Sequence, residues 1–271
     1  MTGTRPRFAL ALLELVGPDA CAALAAALSG PAAAAAVPLR TALRGVPGET
    51  VPERRLRALR EAGADVVLMI EDTTFPGPSW AEGLQRAFAQ DDVAMAWGPV
   101  AVDPALPARF RALGRLEYGR FDGRRTDPAT PGNAVAVRSA AVFGVLAPGE
   151  GIIEHKLAHA LRNRGMKVVM EPLLGSVYAR PDRHGVRLGT RFGHGRIYGS
   201  ERGGHRVAGA LRAVAAMPVL CARALRAATA AAPAGVWLGE LPWIVLMAAA
   251  WSAGELAGQV SGPRRTAGSW T

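Results

Sequence analysis

Two adjacent acids and two hydroxyls, Glu71-Asp72-Thr73-Thr74, follow directly on the apolar run Val66–Ile70 and precede Phe75-Pro76-Gly77-Pro78-Ser79-Trp80. Carboxylates fixed at one point can hold a divalent cation, and the cation can clamp a diphosphate. The same residues also fit an acidic strand-to-helix turn in which Ser79 caps a helix over Trp80–Ala89. His155 and His159 lie four apart on one helical face, a spacing open to a metal, with no third ligand in view. A glycine-rich phosphate loop of the Walker or dinucleotide type is absent from the sequence.

The acids need a strand to position them. A continuous apolar run of this length reads as a strand buried on both faces, so its acidic end stands at the carboxyl edge of a sheet, where open α/β folds place ligands. Upstream, a strand over Phe8–Leu15, a helix over Ala20–Leu28, a strand over Pro38–Leu43 and a helix over Glu53–Ala62 give a βαβα order. That order argues for a mostly parallel sheet with helices on its faces. Pro18 and Asp19 open the first helix, and Gly30-Pro31 is expected to close it. The start of the chain, with Glu14 inside its apolar stretch and no small-residue cleavage pattern, reads as a first strand and not as a signal peptide.

From about residue 50 to 260 the chain resembles the family 2 glycosyltransferases. Their central strand ends in an aspartate-rich turn before a Pro-x-Pro-x-Trp-like segment, as Glu71 to Trp80 do here. Gly98-Pro99-Val100 resembles the family's next short strand. Pro131-Gly132-Asn133-Ala134-Val135-Ala136-Val137-Arg138 is similar to its Gly-Asn-x-Ala-x-Arg strand. Gly151 to Gly165 resembles its Glu-Asp-x-x-Leu helix, and Lys167 to Pro172 the strand leaving it. The resemblance implies a GT-A-like α/β fold and transfer of a sugar from a nucleotide-diphosphate donor with inversion. It implies Glu154 as the general base, with Glu150 as fallback, since Glu154 aligns with the second acid of the pair and Ile153 with the first. Glu71, Asp72, Asn133, Arg54 and Arg55 are implied as donor contacts, and Asp72 with Glu71 as ligands of magnesium or manganese. The chain departs from the family in two places. The acids of its Asp-x-Asp fall at Glu71 and Thr73, leaving Asp72 in the middle. No aspartate ends the second strand, where a nucleoside contact is expected.

A chain of 271 residues, half of them hydrophobic, can bury a sizeable core and is too apolar for disorder. Basic residues outnumber acidic ones by 32 to 22, and all but Lys156 and Lys167 are arginine. Cys21 and Cys221 have no metal or redox spacing and suggest reduced thiols in the cytosol. The motifs place a transferase domain at 1–178, a basic connector at 179–206, and a membrane-associating helical region at 207–271. The connector carries seven arginines and three histidines between Arg180 and Arg206, and its glycines argue against a plain helix. With one Phe, one Tyr and no recognition-helix pattern, it suits anionic lipid headgroups and not nucleic acid.

Beyond it, Arg212, Arg223 and Arg226 fall within about 60° of one helical face. Val214, Met217, Leu220, Cys221 and Leu225 fall on the other side, and Pro218 is expected to kink or split the helix. The uncharged run Leu241–Gly254, between Glu240 and Glu255, is about 21 Å long as a helix, short of a ~30 Å hydrocarbon core. Its tryptophans suit headgroup depth. A shallow hairpin in the cytoplasmic leaflet of the inner membrane is expected, serving a lipid-linked or polysaccharide acceptor. Two other readings stay open: a GT-A-like scaffold at the membrane without catalysis, and an unrelated α/β protein that binds membrane surfaces.

Overall fold

The computed structural model describes residues 6–123, 133–147, 149–180, 187–201, 206–231 and 233–261. Pro131 and Gly132 of the glycine-asparagine motif, and His184 and His205 of the basic segment, lie outside the described residues. From the amino end the elements are β1 (Phe8–Leu13), α1 (Pro18–Ala34), β2 (Leu39–Leu43), α2 (Val51–Ala62), β3 (Val66–Glu71), β4 (Thr74–Pro76) and α3 (Trp80–Ala87). There follow β5 (Val93–Trp97), β6 (Val100–Val102), α4 (Ala108–Tyr118), β7 (Ala134–Arg138), α5 (Ser139–Val145), α6 (Glu154–Asn163), β8 (Lys167–Met170) and β9 (Ser176–Tyr178). The chain ends with α7 (Leu188–Glu201), α8 (Arg206–Ala231), α9 (Ala234–Trp237) and α10 (Leu241–Ser261).

Six strands form one sheet in the order β2-β1-β3-β7-β5-β8, and β4-β9-β6 form a second, smaller one. In the large sheet β1 is parallel to β2 and to β3, β5 is parallel to β8, and only β7 runs against its neighbours. This mainly parallel sheet flanked by helices is the α/β arrangement that the βαβα order implies. β3 is central and buried at every position, as its unbroken apolar run requires. Its alternate residues feed two cores. Val66, Leu68 and Ile70 pack with Leu24, Trp80, Leu84 and Phe88 of the α1 and α3 side. Val67 and Met69 pack with Leu56, Leu59, Leu157 and Leu161 of α2 and α6.

Local chemistry sets the helix ends. Thr50 and Glu53 close a capping box at the start of α2, the Thr50 amide donating to Glu53 Oε2 at 2.7 Å. Gly63 ends that helix in the left-handed region at φ 56°. α1 does not stop at Gly30-Pro31 but continues to Ala34. Proline removes one donor while its φ remains helical, and the alanines that follow are the best helix formers.

Contacts divide the chain into two compact units. The first holds both sheets with α1, α2, α3, α5 and α6. The second takes 102–122, which includes α4, together with residues 181–269. Within it, the basic segment contains the helix α7, contrary to the expectation from its glycines. Those glycines are where the helix meets α10. A Cβ on Gly254 would lie 2.8 Å from the Phe192 carbonyl carbon and 2.9 Å from Arg196 N. Gly195, Gly199 and Gly258 are blocked by facing backbone in the same way. Small residues four apart on both helices let the two backbones touch. α8 runs unbroken through Pro218, and α10 extends past Glu255 to Ser261. Both are long and apolar enough to cross a membrane by length and composition.

Replacing Gly254 by Ala should therefore destabilise the helical unit by about 1–3 kcal/mol, because backbone must move. Gly189→Ala in α7, where nothing lies within 4 Å, should be neutral or stabilising. Hydrogen exchange of α7 and α10 amides in the two variants checks this.

Candidate functional site

The acids at the end of β3 go separate ways because successive strand residues face opposite sides of the sheet. Glu71 points to the α2 side, where the Arg55 guanidinium holds it in a buried ion pair. The same guanidinium pairs with Glu154, the first residue of α6. It also donates to the Ile152 carbonyl at 3.5 Å. Gly151 allows this meeting. A Cβ there would lie 2.6 Å from the Pro52 backbone carbon, and the Ile152 amide donates to the Pro52 carbonyl at 2.9 Å. The loop before α6 thus rests on the start of α2 and delivers Glu154 to Arg55.

Asp72 turns to the α1 side and is fully buried. Its Oδ1 accepts from the Leu15 and Val16 amides at 2.9 and 3.0 Å, and its Oδ2 from Val16 and Gly17 at 3.1 and 3.2 Å. Gly17 adopts φ 149° at the N-cap of α1, a conformation open to glycine, and so presents its amide. Burial raises the Asp72 carboxyl above its ordinary range, while the three amides oppose that shift. Both oxygens are thus occupied by the β1–α1 loop. Nearby, burial also pushes the Cys21 thiol up to about 11, which leaves it unreactive at neutral pH.

Asn133 is buried between β3 and the smaller sheet. Its Nδ2 donates to Thr74 Oγ1 at 3.1 Å and to Ser176 Oγ at 3.5 Å, and its backbone carbonyl accepts from the Glu71 amide at 2.9 Å. Its Oδ1 has no hydrogen-bond partner among the described residues. Arg54 lies under Gly45, bonded to the Glu14 carbonyl and to Glu49 Oε2 at 3.3 Å. Glu49 also accepts from Arg57 at 2.7 and 2.9 Å.

The structure thus brings Arg55, Glu71 and Glu154 together, places Asn133 beside Glu71 through the backbone, and leaves Asp72 and Arg54 on separate anchors. As donors for magnesium or manganese, Glu71 and Asp72 do not converge on one point. Among the described residues no group of three or more His, Cys, Asp or Glu forms a metal cluster, His155 and His159 included. This donor set does not fit a resident divalent ion.

Four contributors were not evident as site residues in the sequence. Ser176 and Thr74 complete the Asn133 cluster, and no spacing rule links residues so far apart. Arg180 reads as the start of a basic segment, yet its side chain donates to the Ala20 carbonyl at 2.8 Å and stacks over Phe75 at 4.7 Å. Glu49, the anchor of two arginines, sits in an unremarkable loop whose only signal is its place just before the Thr50 cap.

No family model matches the chain, and no curated protein matches it. Among solved structures it is similar to a mannosyltransferase from Pyrobaculum calidifontis in complex with GDP-mannose and Mn2+, at 14% identity and a TM-score of 0.45. That likeness covers 92% of this chain and 74% of the other. A mycobacterial protein is similar at 12% identity and a TM-score of 0.37, over 65% of this chain and 68% of that one.

Two outcomes are expected. Arg55→Met leaves two buried carboxylates facing each other and should cost about 3–5 kcal/mol in denaturant unfolding, partly recovered by adding Glu71→Gln. Hydrogen bonds from Arg57 hold the Glu49 carboxyl down at about 2, against an ordinary 4.5. A lowered folded value contributes stability that is present above pH 4.5 and lost as pH falls through about 2. The stability difference between the wild type and Glu49→Gln should shrink across that window.

Proposed function

We propose that this chain is an inverting glycosyltransferase. It moves a sugar from a nucleotide-diphosphate donor to a lipid-linked or polysaccharide acceptor at the cytoplasmic face of the inner membrane, in surface polysaccharide or glycolipid synthesis. The observation that carries this reading is the convergence of Arg55, Glu71 and Glu154 at the carboxyl edge of β3, where open α/β sheets receive ligands.

Glu154 is the base, and its ion pair with Arg55 holds it at the site. The acceptor hydroxyl oxygen forms a bond to the anomeric carbon from the face opposite the donor diphosphate. The bond from that carbon to the phosphate oxygen breaks, the diphosphate leaves with the electron pair, and the hydroxyl proton passes to Glu154. Glu71 holds Arg55 in place, Asn133 contributes its free carbonyl oxygen to the donor, and Arg54 and Arg55 supply positive charge toward the phosphates. Asp72 acts on the donor side by fixing the β1–α1 loop. Two C-terminal helices long and apolar enough to cross a membrane support the membrane location.

One observation favours a second reading, a GT-A-like scaffold without catalysis: both Asp72 oxygens are satisfied internally. Binding separates the two. On the first reading UDP or GDP, tested with and without Mn2+, raises unfolding stability by about 2.7 kcal/mol at a hundred times its dissociation constant. Glu154→Gln should keep that shift and lower transfer by about 10²–10⁴-fold, since a base acts on the acceptor. Absence of any shift with either nucleotide, with or without the ion, would leave the scaffold.

A further inference from the structure

We propose that α8 and α10 form a lipid-contacting surface that enters the acyl region of one anionic leaflet and lies in its plane. The proposal takes from the preceding reading only that the chain meets a membrane, and it stands on the helical unit by itself.

The packing of this unit is inverted relative to the sheet unit. α8 buries Gly209, Ala213, Ala224, Ala227 and Ala228, and turns Val207, Leu211, Val214 and Val219 outward. Leu211 is 67% and Val214 63% exposed, and only 17% of the apolar stretch of α8 is buried. α10 buries Gly254 and Gly258 with Ile244 and Met247, while Trp243, Val245, Leu246 and Val260 face out. In water this arrangement forgoes the main driving force of folding, since the large aliphatic groups stay wet. Against acyl chains there is no such loss, and close approach of small residues is what holds helices together.

Charge sets the orientation. The acids that flank the apolar run of α10 are turned inward. Glu240 is fully buried and accepts from Arg111 Nε at 2.6 Å, with Arg115 Nε at 3.7 Å, and Glu255 is buried as well. The outward face of α10 is therefore uncharged along its length. On α8, Arg206 opens the helix, but Arg212, Arg223 and Arg226 lie within it and not at its ends. At ~100° per residue, Arg212, Arg223 and Arg226 form one flank beside the outward aliphatic face. Arg212 and Arg226 are exposed and Arg223 is half-buried. A spanning α8 would carry Arg212, Arg223 and Arg226 to about 10, 7 and 11 Å from the helix midpoint, inside a ~30 Å hydrocarbon core where charge is costly. A helix lying flat places them beside phosphates, which anionic lipid favours. The basic balance of the whole chain, +10, is complementary to the same surface.

The test uses the full chain with sealed vesicles of phosphatidylcholine containing about 30% phosphatidylglycerol, the anionic lipid supplying the surface potential. The protein should float with the vesicles, and most should stay bound at about 1 M salt, where charges are screened within ~3 Å. Leu211→Glu combined with Val214→Glu, at positions too exposed to disturb the fold, should lower the partition coefficient about a hundredfold. Phe143→Glu, at an exposed apolar site in the sheet unit, should leave it unchanged. In a Cys221→Ser background, Ala208→Cys and Ala230→Cys, both exposed on the arginine flank, mark the two ends of α8. Both should react with a membrane-impermeant maleimide added outside. Protection of one end would overturn the in-plane orientation. A chain that ignores the vesicles and forms a dimer broken by the Leu211/Val214 change would show that the face belongs to a second copy. Nucleotide binding is read separately, so loss of the transferase reading and loss of this one are distinguishable.

Discussion

Alternation along β3 is the constraint on which the carboxyl edge of the large sheet depends. Because Val67 and Met69 point to the α2 and α6 core, Glu71 must follow them, and it meets Arg55 there. Because Leu68 and Ile70 point to the α1 core, Asp72 must follow those, and it meets the amides that lead into α1. One pleat therefore ties the central strand to α2 and α6 on one face and to the β1–α1 turn on the other. The acids are less a pair than two pins through opposite sides of the same strand.

The capping box at Thr50 and Glu53 sets the first turn of α2, which fixes Arg54 and Arg55. Gly151 lets the next loop close over that turn, which fixes Glu154. Each step is local, yet the product is a guanidinium shared by carboxylates that lie far apart in sequence. Such a group is costly to desolvate and more costly to leave half-made, so its partners must arrive together.

Much of this architecture was legible in the sequence. The buried central strand and the βαβα order follow from apolar periodicity and turn residues, while the helix over Glu154 is implied only by the resemblance of Gly151 to Gly165 to a family motif. Element ends were less legible where a residue has two roles. Gly30 and Pro31 carry a stop signal that the alanines after them override, and Gly195 and Gly199 read as breakers although they are points of contact. Side-chain partners were not legible. No local pattern indicates that Asp72 binds amides near residue 16 while Glu71 binds Arg55, since adjacency in sequence conceals opposition in space. The inward turn of Glu240 was likewise hidden, because its partners Arg111 and Arg115 belong to α4, which the motifs assign elsewhere.

The glycine and alanine contacts of the helical unit have a thermal consequence. Packing backbone on backbone removes little apolar surface from water, whereas the cores on both sides of the large sheet are lined with Leu, Val, Met, Phe and Trp. Heat capacity of unfolding follows buried apolar area, at about 0.45 cal/mol/K for each Å². The two units of one chain are thus built with differently curved stability profiles. The sheet unit gains and loses stability steeply with temperature, and the helical unit changes gently across the same range.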